Sequence, residues 1–189
     1  AAALDGRIQS MAGTHELLSG RKWQGIPLAE LVGRELAPHS NGHNVRIEGP
    51  EVVLRAEVGQ ALAMVLHELA TNAAKYGALS AQNGSVSVHW RRMAENGSGG
   101  VLALDWLETG GPAVLAVPRA GYGTSIIRDL IPYEFGGAVD LELTAEGARC
   151  RLEVPAAWVG RGAHRARTPP SRPHAPPAHP TDEAETIWR

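Results

Sequence analysis

At 189 residues the chain is long enough for one core of about 100–150 residues plus appendages. Its 18 Lys and Arg against 20 Asp and Glu leave a net charge of −2, which gives no general pull toward nucleic acid or membrane surfaces. No apolar run approaches the roughly 20 residues of a spanning helix, and the single Cys150 excludes an internal disulfide or a cysteine-rich metal site.

No signal peptide heads the chain, so a cytoplasmic protein is the expectation. It opens Ala-Ala-Ala-Leu rather than with Met, which reads as a fragment of a longer protein. Leu4, Ile8, Met11, His15 and Leu18 recur at three- and four-residue steps and predict the end of a helix closed by Ser19-Gly20. Trp23, Ile26 and Pro27 read as a turn, Leu28 to Leu36 resumes helical spacing before Pro38, and residues 39–43 read as a loop. Residues 45–48 alternate, Gly49-Pro50 turns and residues 52–54 are apolar, which predicts a short hairpin.

The longest element follows. From Ala56 to Leu79 there is no proline, and Leu62, Val65, Leu66, Leu69 and Ala73 mark one apolar helical face. Residues 85–90 and 101–108 alternate around a Gly-rich connection and predict an antiparallel hairpin. Residues 109–123 have no period and read as a loop. Thr124 to Phe135 reads as a short helix, with Thr124 as a cap and Ile126, Ile127, Leu130 and Ile131 inward. Residues 136–144 and 148–155 alternate around Ala-Glu-Gly as a further hairpin. Six of the thirteen prolines fall between Pro169 and Pro180 among Arg161, Arg165, Arg167 and Arg172, a composition that reads as a disordered linker or tail. The sum is an α+β fold: a two-layer α/β sandwich with a mixed or antiparallel sheet and helices on one face.

The chemistry concentrates on the long helix. Glu68, Asn72 and Lys75 fall at i, i+4 and i+7, and a line of acid, amide and amine is costly to bury unless a polar ligand satisfies it. An Asn oxygen suits Mg²⁺, which reaches protein through one or two oxygen donors plus phosphates. Lys75 can neutralise phosphate charge, and Glu68 can accept a proton or orient a nucleophile. A solvated polar face is the competing reading of the stripe by itself. Zinc is a poor fit: His67-Glu68 opens H-E-x-x-H, but Thr71 stands where the second His belongs. Downstream, Glu108 ends a strand before Gly110-Gly111, and Gly121-Tyr122-Gly123 precedes a helix start. Glycines there let backbone N–H groups approach phosphates, and a carboxylate at a strand end can accept from an exocyclic amine such as adenine's.

The order of these pieces carries a resemblance. HELATNAAKYGALS (67–80) resembles the N box of the HWE-family sensor histidine kinases, within the Bergerat-fold (GHKL) ATPases; His67 stands at the family's H and Trp106 to Glu108 at its W-x-E. GYGTSII (121–127) resembles the second glycine box, with Tyr122 where Phe is usual, and residues 14–39 resemble the segment before the ATPase domain. The resemblance implies residues 1–20 as the remnant of a second dimerisation helix, 21–157 as the catalytic ATP-binding domain and 158–189 as tail. It implies ATP and Mg²⁺ as ligands, with Asn72 on the metal, Glu68 polarising an attacking histidine and Lys75 on phosphate or lid. Glu108 would read the adenine amine, and Gly110, Gly111, Gly121 and Gly123 would bracket a short lid carrying Arg119, with Thr124 at the helix that follows. His67 is placed with the catalytic set without an assigned step.

None of the eight histidines has the context of the family's phospho-acceptor box, and His15 reads as structural. The expectation is a protein-histidine kinase that phosphorylates a histidine on an upstream dimerisation segment, for relay to a response regulator, as a homodimer in the full protein. No nucleic-acid partner is expected, nor a membrane for this piece. The alternatives are a non-catalytic nucleotide-binding sensor or adaptor module and a serine kinase of the same fold.

Overall fold

The computed structural model describes residues 25–94, 100–112, 122–144 and 147–160. Strand β1 (Ile26–Pro27) leads directly into helix α1 (Leu28–Leu36), whose first residue follows a proline that fixes an extended entry. Leu28, Leu31, Val32 and Leu36 are buried along α1, and a single 3₁₀ turn (Ala37–His39) ends it. Then come β2 (Val45–Glu48), β3 (Val53–Leu54) and helix α2 (Ala56–Lys75). Strands β4 (Ser85–Met93) and β5 (Val101–Thr109) precede helix α3 (Tyr122–Phe135), and β6 (Ala138–Thr144), β7 (Gly147–Pro155) and β8 (Val159–Gly160) complete the order.

Five strands form a mixed sheet in the order β2-β4-β5-β7-β6, antiparallel except that β2 runs parallel to β4. Its pleat sorts the side chains. Val88, Trp106 and Cys150 stand side by side across β4, β5 and β7 on the core face, as do Trp90, Leu104 and Leu152, and all six are buried. The opposite face aligns His89, Asp105 and Arg151, and there Arg91 pairs with Asp105 at 2.7 Å and Arg151 with Glu153 at 2.9 Å. Helices α2 and α3 pack on one another, and Val58, Leu62, Val65, Leu66 and Leu69 from α2 join Ile127 and Ile131 from α3 in one core with the sheet. Gly136, at φ 66°, donates its N–H to the Pro132 carbonyl and stops α3. A two-layer α/β sandwich, as the sequence predicts, is the result. Among the described residues no helix is long and apolar enough to cross a membrane.

Four local expectations need correction. Residues 45–54 are not a hairpin: β2 pairs with β4 across the α2 crossover, while β3 joins β1 and β8 in a separate three-stranded antiparallel sheet. Ile26-Pro27 is accordingly strand rather than turn. Thr124 does not cap α3, which begins at Tyr122, so Thr124 lies inside the first turn. Ordered structure also runs past residue 157. Trp158 packs edge-on against Phe135 at 5.0 Å, donates from Nε1 to the Phe135 carbonyl and lies under the Arg55 guanidinium, and Val159–Gly160 pairs with β3. The expected dimerisation-helix remnant over 1–20 and the tail beyond Gly160 lie outside the described residues.

Candidate nucleotide-binding site

Helix α2 supplies the first wall. Its apolar residues fix the rotation of the helix against the core, and that rotation leaves Glu68 buried, Asn72 half-buried and Lys75 exposed. Lys75 in the last turn also complements the negative end of the helix dipole. The helix ends where the N–H groups of Tyr76 and Gly77 both turn back onto the Asn72 carbonyl, at 2.8 and 3.0 Å.

The second wall is the end of β5. Glu108 points to the core side and is 3% exposed. Its Oε2 accepts the Ala78 backbone N–H at 2.9 Å and its Oε1 accepts Nε1–H of Trp106 at 3.2 Å. Trp106 and Glu108 are two residues apart on one strand face, so the spacing in W-x-E is what lets the indole reach the acid. Burial pushes the Glu108 carboxyl above the usual carboxylate range, against the pull of these two hydrogen bonds. A carboxylate has about four lone-pair positions, so acceptor capacity remains for a ligand N–H.

The two walls meet at Gly77 and Ala78. Close packing at and beside this junction explains Gly77, Gly110 and Gly111. A Cβ on Gly77 would collide with Oε2 of Glu108; one on Gly111 would lie 2.8 Å from Ala78 N and Cα; one on Gly110, at φ 70°, would lie 2.6 Å from the Asn83 carbonyl oxygen. The strand end therefore lies directly against the turn that leaves the N box. Helix α3 packs on α2 and brings Gly123 and Thr124, both half-buried, in its first turn. Arg119 and Gly121 lie outside the described residues.

A residue that sequence reasoning passed over stands behind His67. Glu35, on the buried stripe of α1, puts Oε2 3.2 Å from His67 Nδ1, while its Oε1 takes a 2.8 Å hydrogen bond from Arg34 Nη2. The sign that could have found it is its place: Glu35 follows Leu28 by seven residues and Val32 by three, where an apolar side chain is expected. Burial would push the Glu35 carboxyl up, but the His67 and Arg34 hydrogen bonds and charges outweigh it and hold the carboxyl below its ordinary 4.5. His39, one turn beyond, is shifted down by burial and then by the His67 charge. A depressed carboxylate contributes stability above its unfolded value that is lost as pH falls through the lower folded value. Acid titration followed by circular dichroism is therefore expected to show the protein losing stability below pH 4.5, with a shallower loss in Glu35→Gln.

Among the described residues no group of three or more His, Cys, Asp and Glu could hold a metal ion. The donor set at the N box is of another kind, one amide oxygen with an amine and a carboxylate nearby, and suits a hard cation that brings its own phosphate oxygens.

A family model described as HWE histidine kinase matches residues 1–51. A blue-light-activated histidine kinase of Rhizobium johnstonii is 34% identical over 157 residues, covering 83% of this chain and 44% of that protein. A blue-light-activated histidine kinase of Brucella anthropi is 34% identical over 143 residues, covering 75% and 29%. The chain thus spans less than half the length of these curated relatives. Among solved structures, the histidine kinase domain from a blue-light activated histidine kinase of Erythrobacter litoralis superposes with a TM-score of 0.65 at 17% identity, over 82% of this chain and 75% of that one. The mycobacterial sensor histidine kinase MprB gives 0.52 at 15%, over 70% and 97%. At such identities these two likenesses carry the fold alone.

Proposed function

The chain belongs to the HWE family of histidine kinases, and from this we propose that it is the part of a cytoplasmic sensor kinase that binds ATP and drives phosphoryl transfer. The substrate is a histidine on an upstream dimerisation segment, and the phosphoryl group passes on to an aspartate of a response regulator. In the first step the bond between the γ-phosphorus and the ADP oxygen breaks, a bond from imidazole nitrogen to phosphorus forms, and the imidazole proton leaves. Catalysis of this kind is positioning and charge neutralisation more than covalent chemistry.

Within this reading each residue has one task. Asn72 would hold Mg²⁺, which when bound neutralises charge on the phosphates. Lys75, at the exposed end of the same helix, meets phosphate charge. Glu68 polarises the attacking imidazole and takes its proton. Glu108 accepts the exocyclic amine of adenine with the capacity that Ala78 and Trp106 leave it. Gly110, Gly111, Gly123 and Thr124 would flank the phosphates, and the family resemblance gives Gly121 and Arg119 the lid, with Arg119 as a phosphate contact.

The observation that supports this most is the junction at Gly77, where the helix turn bearing Asn72 closes onto the strand end bearing Glu108. In this reading two motifs about thirty-six residues apart in the chain serve as neighbouring walls of one site. With ATP and Mg²⁺ alone the chain is expected to accumulate no acid-labile phosphate. Adding the upstream histidine-bearing helical segment should place the label on that segment. Phosphohistidine on the chain by itself would overturn the assignment of an external acceptor.

A further inference from the structure

His67 has a partner that neither its motif nor its helical spacing announces. The Glu35 side chain is 6% exposed and that of His67 23%, so the contact between Oε2 and Nδ1 is largely shielded from water. The carboxyl, held below its ordinary range, is ionised at neutral pH. An ionised carboxylate only accepts hydrogen bonds, so the facing Nδ1 must carry the proton. Arg34 occupies the other oxygen through Nη2 and Nε, at 2.8 and 3.3 Å, and fixes the carboxylate plane. In the neutral ring the lone pair then sits on Nε2, which among the described residues has no hydrogen-bond partner.

We propose that Glu35 is a positioning residue that locks His67 in the Nδ1–H tautomer, so that Nε2 accepts a hydrogen bond from an N–H of the incoming phospho-acceptor segment. A carboxylate behind an imidazole sets its tautomer and ring orientation, as it does in metal sites and catalytic triads. Glu35 acts from α1 on α2 and so couples the segment that enters the domain to the residue just before Glu68. The consequence for catalysis rests on the kinase reading above; the tautomer does not.

The test separates the two. Long-range ¹⁵N-edited histidine spectra of the full chain, at a pH where His67 is neutral, should show Nδ1 protonated and Nε2 bare. In Glu35→Leu the ring should revert to the Nε2–H form. A wild-type Nε2–H ring, or a tautomer unchanged by Glu35→Leu, would overturn the proposal, and the wild-type spectrum decides even where the variant does not fold. In the full kinase Glu35→Leu should lower kcat at least about tenfold with the KM for ATP unchanged, about what removing an orienting partner costs. Glu35→Gln, which keeps a carbonyl acceptor, should retain the Nδ1–H form and most of kcat. A reverted tautomer with unaltered kcat would overturn the positioning role. Absence of histidine phosphorylation in the wild-type kinase would overturn the kinase reading and leave the tautomer result standing.

Discussion

Glu68→Ala in the full kinase is expected to reduce histidine phosphorylation by about 10²–10⁴-fold, the range for losing a positioned proton acceptor, with ATP affinity retained. Glu68 is 7% exposed on α2, one turn before Asn72, so it shares the helix face proposed for the metal without being one of the groups assigned to hold nucleotide. Asn72→Ala provides the contrast, because loss of the amide oxygen should weaken Mg²⁺-dependent ATP binding and phosphorylation together. Glu68→Gln keeps the shape of the side chain and removes the base, so it should behave as Glu68→Ala in transfer. Calorimetric titration with ATP, beside autophosphorylation rates at saturating ATP, separates the two effects. Wild-type phosphorylation in both Glu68 variants would return the domain to a nucleotide-binding module whose chemistry lies elsewhere.

The sandwich was legible because its longest elements follow simple periods. The apolar face of α2 and the alternation of β4, β5, β6 and β7 survive in the structure with small shifts at their ends. What was not legible is pairing between segments far apart in sequence. Residues 45–48 and 53–54 stand close in the chain and look like two arms of a hairpin. Yet Val45 and Ile47 align with Val86 and Val88 in a parallel pair that exists only because α2 carries the chain back. Two-residue strands such as β1, β3 and β8 contain no period at all, and their pairing is decided by which edges lie together after the core forms.

The site divides along the same line. Glu68, Asn72 and Lys75 lie on one helix, and Trp106 and Glu108 on one strand, so spacing alone could group them. That Gly77 exists to make room for Glu108 is a contact between the two groups, and no local pattern encodes it. Glu35 was missed for a related reason: one acid on an apolar stripe looks like a lapse in the pattern until its partner on another helix is known.

Gly77→Ala is expected to destabilise the domain by about 2–5 kcal/mol, the sum of overpacking and one unmade buried hydrogen bond. Backbone conformation is not the reason. Gly77 has φ −108° and ψ −153°, which an alanine can adopt, and removing a glycine from the unfolded chain would by itself help by about 0.4–1 kcal/mol. Space is the reason. The added methyl would occupy the position of Glu108 Oε2 and come within 2.9 Å of the Ala73 Cα on the preceding helical turn, so the helix side cannot yield and the carboxylate must. Its displacement breaks the bond to Ala78 N–H and leaves that donor buried. Glu108→Ala empties the same space, so the double variant Gly77→Ala/Glu108→Ala should cost less than the sum of the singles, by about 1–3 kcal/mol in a denaturation cycle. Additive losses would mean that Gly77 and Glu108 do not share the contact, and with it would go the junction that makes the N box and the W-x-E strand one site. ATP affinity supplies the functional side of the same cycle: each single variant should weaken it, because both disturb the carboxylate proposed to read adenine, and Glu108→Ala should leave Gly77→Ala little further to remove.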